Sequence, residues 1–254
     1  RTYDLALPLE PFTEALHRVL ANNMALLVEL SALCEEFQRH GVQAILLKGG
    51  ALIETVYRGH PGLRPMCDLD LLVKDADLST IKEILRKRGY RPSSPSSTFF
   101  DNGWAAFDLH TDLIGSSRIR RRALAFRFTT EALWKEASPL VPRYLPLLVL
   151  SHPDQFLHLV VHALKHSFSR LIWFADLGML FQLVKGEELV HRAGASGALR
   201  PLAYALFVLQ RLMGVKVSQE VLARLPRLNW CEQRFLNAVA SRRPVGVLGE
   251  VMVA

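Results

Sequence analysis

Residues 45–73 read ILLKGGALIETVYRGHPGLRPMCDLDLLV, and what this stretch folds into decides how the rest of the chain is arranged. The apolar run 44–47 has the length and composition of a buried strand. It stops at Lys48-Gly49-Gly50, after which Ala51, Leu52, Ile53, Val56 and Tyr57 fall at the spacing of a short helix. Strand, glycine turn and helix together suit a phosphate. Glycines let the backbone come close to an anion, and the amides at a helix start, with the helix dipole behind them, favour negative charge. Residues 68–73, DLDLLV, read as a second strand with Asp68 and Asp70 on one face and Leu69, Leu71 and Val73 on the other. Same-face neighbours on a strand stand roughly 7 Å apart at the backbone, so the two carboxylates can converge on one or two divalent cations. An anion cradle beside a metal site is what a nucleoside triphosphate needs. Either half alone is a weak signal, because a glycine pair is usually just a turn and an acid-x-acid strand is often a solvated edge.

Taken with AAFDLH at 105–110, the stretch resembles the uncharacterised nucleotidyltransferase family of the DNA polymerase β-like nucleotidyltransferase superfamily. The superfamily pattern is an apolar residue, Gly, Gly or Ser, then an acid-x-acid pair and a third acid on a later strand. Gly49 and Gly50 match the glycines, Asp68 and Asp70 the pair, and Asp108 the third acid. The resemblance continues into HLVVHALKHSFSRLIWFADLGMLF at 158–181, similar to the helical second half of that family, and so covers most of residues 42–184. It implies transfer of a nucleotidyl group from an NTP, with Asp68, Asp70 and Asp108 as catalytic and metal-binding residues. Two Mg2+ ions are implied, with Mn2+ as the alternative. Two departures stand out: the interval from Gly50 to Asp68 is long, suggesting an inserted loop at 58–65, and Cys67 stands where a hydroxyl residue is more usual.

Working outward, the run 104–109 reads as a strand joined to a run at 97–100 by the Asp101-Asn102-Gly103 turn. Alternation puts His110 on the face of Asp108, where it either orients Asp108, touches substrate or makes a structural hydrogen bond. Lys48, beside the glycines, and Arg64, in the loop leading to Asp68, are the cations nearest the expected site and are candidates for phosphate contact; surface solvation is the alternative for each. Arg118, Arg120, Arg121 and Arg122 form a basic run without interleaved aromatics, more consistent with a solvated face than with an RNA-binding track.

The remaining segments are helical. Residues 11–39 carry a broad apolar stripe with Pro11 suited to a first turn and Gly41 to a stop; 77–88 follow with Asp77 as an expected cap and Gly89 as a stop. Residues 91–97, RPSSPSS, have the composition of a loop. Pro139, Pro142 and Pro146 mark a connection and a domain boundary near 138–151. Ser151 or His152, then Pro153, opens a helix on which His158, His162 and His166 are spaced i, i+4. With no glutamate between them as in H-E-x-x-H, zinc is a poor reading. The better one has this helix lining a cleft and offering His162, Lys165 and His166 to nucleotide or acceptor. Packing against the helix at 171–184 is the alternative. Further helices are expected at 198–213 and 230–240.

The expected architecture is α+β: a helical segment at 1–40, a small mixed β-sheet domain with flanking helices at 41–138, and a helical bundle domain at 139–254. Half of the 254 residues are hydrophobic, enough for a substantial core, and the net charge of +7 favours anionic partners without choosing among them. Cys34, Cys67 and Cys231 are widely separated, which suggests neither a disulfide framework nor a zinc site and suits the reducing cytoplasm. No membrane span or secretory signal is legible, and a P-loop is excluded because G-x-x-x-x-G-K-[ST] is absent. The first residue is Arg1 rather than Met, consistent with a preceding N-terminal piece. The expected reaction is attack by a hydroxyl of a small-molecule or biosynthetic acceptor on the α-phosphorus of an NTP, releasing pyrophosphate. Transfer to a protein or RNA, or a catalytically silent nucleotide-binding scaffold, are the alternatives.

Overall fold

Strand β1 (Ala44–Leu46) and strand β2 (Leu69–Val73) pair antiparallel, with Ala44 opposite Val73 and Leu46 opposite Leu71. Both are buried along their whole length, so the acid-bearing face of β2 is covered rather than solvated, and Asp70 is only 4% exposed. The computed structural model describes residues 10–113, 129–140 and 144–241. Arg118, Arg120, Arg121 and Arg122 lie outside the described residues.

Among the described residues the sheet is mixed and seven-stranded, in the order β3-β4-β5-β2-β1-β7-β6. Its other strands are β3 (Arg91–Pro92), β4 (Phe99–Asp101), β5 (Ala106–His110), β6 (Ser138–Pro139) and β7 (Leu147–Val149). The Asp101-Asn102-Gly103 turn forms as its residues require. Asp101 accepts from the Gly103 amide at 2.6 Å, Asn102 accepts from the amides of Trp104 and Ala105, and Gly103 takes φ 87°. β4 and β5 then pair antiparallel, with Phe99 opposite Asp108. Two proline-bearing segments read as loop or connection thus supply short edge strands, where a missing amide is tolerated.

Helix α1 (Glu10–Arg39) buries Leu26, Leu27, Leu30, Leu33 and Phe37 of the stripe its spacing predicts, whereas Leu16 and Leu20 of the same stripe are exposed. Helix α2 (Lys48–Thr55) packs on β2, and α3 (Leu78–Lys87) begins after Asp77, which occupies the N-cap position without a side-chain cap. Gly89 follows at φ 87°.

The C-terminal half is helical: α4 (Thr130–Glu136), α5 (His152–Lys165), α6 (Leu171–Phe181), α7 (Gly186–Ser196), α8 (Leu199–Met213), α9 (Gln219–Ala223) and α10 (Trp230–Ala240). Ser151 caps α5, accepting from the Asp154 amide and donating to its carboxylate at 2.7 Å, with Pro153 in the first turn. Asn229 and Glu232 form a reciprocal capping box at the start of α10. Arg192 on α7 forks between the buried Asp154 of α5 (Nε–Oδ1 2.9 Å) and Glu136 of α4 (Nη1–Oε1 2.8 Å). Two compact units divide the chain: Arg1–Leu109 with Pro139–Leu147, and His110–Ser138 with Leu148–Ala254. The border falls inside β5, whose five residues are one continuous strand of the sheet. No helix among the described residues is long and apolar enough to cross a membrane.

Candidate active site

Asp70 sits in the middle of the sheet because Leu69 and Leu71, both fully buried, fix the strand on either side of it. On the adjacent strand Phe107 and Leu109 are buried at 0% and 1%, so alternation sets Asp108 and His110 together on the other face, each half-buried. One ligand atom from each of Asp70, Asp108 and His110 lies within 4.8 Å of the other two. Asp68 stands one residue before β2, half-buried, and is not part of this compact set.

Two carboxylates and an imidazole that close can hold a divalent cation. The Lys48 ammonium is ion-paired with Asp70 Oδ1, bringing positive charge to the same spot. Lys48 itself carries the one unusual backbone angle of the junction, φ 45°, at the point where β1 turns into α2. A non-glycine residue in that region stores about 1–3 kcal/mol of strain, the kind of cost retained where function demands a geometry.

The glycines have a packing role that the sequence did not suggest. Neither Gly49 nor Gly50 forms a turn or takes positive φ; both lie in the first turn of α2. What they supply is space. A Cβ on Gly49 would stand 2.7 Å from Arg64 Nη1, and one on Gly50 would stand 2.9 Å from both Leu46 and Leu69. Gly49 thus admits the Arg64 guanidinium, and Gly50 lets α2 press onto β1 and β2. Leu47 at the N-cap position offers no side-chain cap to the α2 amides, which leaves the helix start suited to an external anion.

Arg64 is 7% exposed, not a solvated loop residue, and its Nη1 donates to the Pro65 carbonyl at 2.7 Å. The loop carrying it is held by residues the sequence reading passed over. Asn23, fully buried on α1, donates to the carbonyls of Pro61 and Arg64 at 2.6 and 2.7 Å, and Asn22 donates to that of Met66 at 2.8 Å. The available signal was two adjacent asparagines inside an apolar helix, where they weaken the helix unless they bond something outside it.

On α5, His162 and His166 lie with ring centroids 4.8 Å apart, and both approach Trp173 of α6, at 5.0 and 5.5 Å. The histidine ladder is therefore an aromatic cluster; among the described residues it is not a metal-ligating group. Lys165 and His166 are exposed and His162 is half-buried.

A pair of close carboxylates beside a bare helix N-terminus and a lysine is the signature of enzymes that move phosphorus-containing groups. The chain belongs to the uncharacterised nucleotidyltransferase family, whose sequence model matches residues 3–214. It is accordingly a transferase, and nucleotidyl transfer is its general chemistry, with an NTP as donor. No curated protein matches the chain.

Proposed function

We propose that the protein moves a nucleoside monophosphate from an NTP to a hydroxyl of a small-molecule or biosynthetic acceptor, releasing pyrophosphate, with magnesium or manganese as cofactor and in the cytoplasm. The observation that carries this reading is the meeting of Asp70 and Asp108 from adjacent strands at the start of α2. In the proposal Asp70 and Asp108 hold the cation, joined by Asp68 once the triphosphate is present. A divalent cation held there supplies charge neutralisation at the α-phosphoryl oxygens and a lowered pKa for the acceptor hydroxyl.

The chain's own residues do the rest. The amides of Gly49 and Gly50, with the α2 dipole behind them, bind the outer phosphates. Lys48 exchanges part of its contact with Asp70 for a phosphate oxygen, and Arg64, seated against Gly49, adds a fixed guanidinium. Asp108, less buried than Asp70, is the group suited to accept the acceptor's proton. His162, Lys165 and His166 are assigned to the nucleotide as further contacts; what supports this is two imidazoles and an ammonium on neighbouring turns of one helix, beside the Trp173 ring.

Incubation with α-labelled and γ-labelled NTP tests the reading. Label should pass to an acceptor from the α position only, and Asp70→Asn or Asp108→Asn should lower transfer by about 100-fold or more, the scale of losing a central electrostatic group. Transfer of the γ label would overturn it. Recovery of the α label in protein or RNA would assign the acceptor to a macromolecule, and nucleotide binding without transfer to any acceptor pool would make the chain a silent scaffold.

A further inference from the structure

The three donors that meet in the sheet are not three acids. Asp70 and Asp108 are accompanied by an imidazole, and the ligand atoms of the trio lie within 4.8 Å of one another, close to the width of a coordination sphere, about 4–5 Å for oxygen and nitrogen donors. His110 stands where it does for a structural reason: it is two residues from Asp108 on β5, and the buried Phe107 and Leu109 between and before them fix which way the strand faces.

We infer that His110 is a ligand of the bound cation and makes the site select Mn2+ over Mg2+. The inference rests on the proposal that Asp70 and Asp108 hold a divalent cation. Mg2+ demands oxygen donors in a near-octahedral shell and gives up its waters reluctantly, whereas Mn2+, also well served by oxygen, is a first-row transition ion and takes an imidazole nitrogen more readily than Mg2+ does. Charge points the same way. Two carboxylates, a divalent cation and the Lys48 ammonium sum to one positive charge, which falls to zero once Asp68 joins; a carboxylate in place of His110 would carry the centre to a net negative charge. The neutral imidazole keeps the centre attractive to a polyanionic triphosphate while still supplying a third donor.

Manganese itself reports the result without any catalytic assay. Mn2+ is titrated into the full chain, free ion is counted by electron paramagnetic resonance, and pulsed spectra of the bound ion are read for coupling to a directly bonded nitrogen. Wild-type protein should show that coupling, and protein grown with 15N-histidine should show it with the 15N signature; this arm requires no substitution. In His110→Gln, with fold checked by circular dichroism, the coupling should vanish. Mn2+ affinity should fall by about tenfold or more, since losing even an outer-shell partner costs about 10–100-fold. Mg2+ affinity, read by competition, should fall less, so the ratio of the two drops. Bound Mn2+ without nitrogen coupling, released by Asp70→Asn, would overturn the role of His110 while leaving the acid pair standing. Mn2+ binding unchanged in both Asp70→Asn and Asp108→Asn would overturn the inference together with the metal site beneath it.

Discussion

At Gly49 one missing carbon decides whether Arg64 can take its place. With Arg64 Nη1 only 2.7 Å from where a Cβ would stand, and Met66 Cβ at 3.2 Å, Gly49→Ala must push the guanidinium away from the start of α2. The guanidinium is the far end of a flexible side chain and Ala favours a helix over Gly by about 1 kcal/mol, so the cost falls on the position of Arg64 more than on stability. The KM for NTP of Gly49→Ala should rise while its urea unfolding changes little; an unchanged KM would detach Arg64 from the phosphate site. The residue scale is also where the sequence was most and least legible. Asp70 and Asp108 could be placed because strand alternation has a period of two, which turns spacing into facing. The purpose of Gly49 could not be, since what it makes room for arrives from fifteen positions along the chain, and no local pattern encodes that contact.

Helix α1 shows the same division between local pattern and distant partner. Its length and buried stripe follow from apolar residues at helical spacing. Its second duty, fastening the loop at 61–66 through Asn22 and Asn23, depends on carbonyls about forty residues away and left only two unexplained polar residues as a trace. Asn23 is fully buried and serves two carbonyls at once, so Asn23→Ala leaves both without that donor and should cost about 1–3 kcal/mol per stranded group at most. Chemical denaturation measures the loss, and hydrogen exchange should show the 61–66 amides opening before those of β2. If those amides keep their protection, the loop is held by something other than α1. The short edge strands β3 and β6 escaped sequence reading for a related reason: each has two residues, one a proline, and pairing with a neighbour rather than propensity makes them strands.

Across the whole molecule, a sheet holds the candidate site and helices dominate after residue 129, although strands β6 and β7 also lie there. The helical half is tied by a charge cluster that no periodicity reveals. Arg192 bridges Asp154, 3% exposed, to Glu136, and both carboxylates receive paired N–H donors. Arg192→Met should destabilise the protein by about 3 kcal/mol, the lower end for breaking a buried pair, since Arg192 keeps partial contact with water. Its hydrogen bonds hold the Glu136 carboxyl below the ordinary carboxylate range, so the stabilisation is present above about pH 4.3 and is lost as pH falls through the lowered value. Wild-type stability should therefore drop more steeply than that of Arg192→Met on acidification below about pH 4.3, and parallel curves would remove Glu136 from the account.

The central claim is that a cation bound by Asp70 and Asp108 meets a triphosphate at the start of α2, and a crystal structure with a non-hydrolysable NTP and Mn2+ tests it most directly. The account predicts an anomalous peak about 2.0–2.2 Å from carboxylate oxygens of both aspartates, with phosphates against the amides of Gly49 and Gly50. A triphosphate seated elsewhere, with Lys48 still on Asp70 and no ion between the two strands, would contradict it.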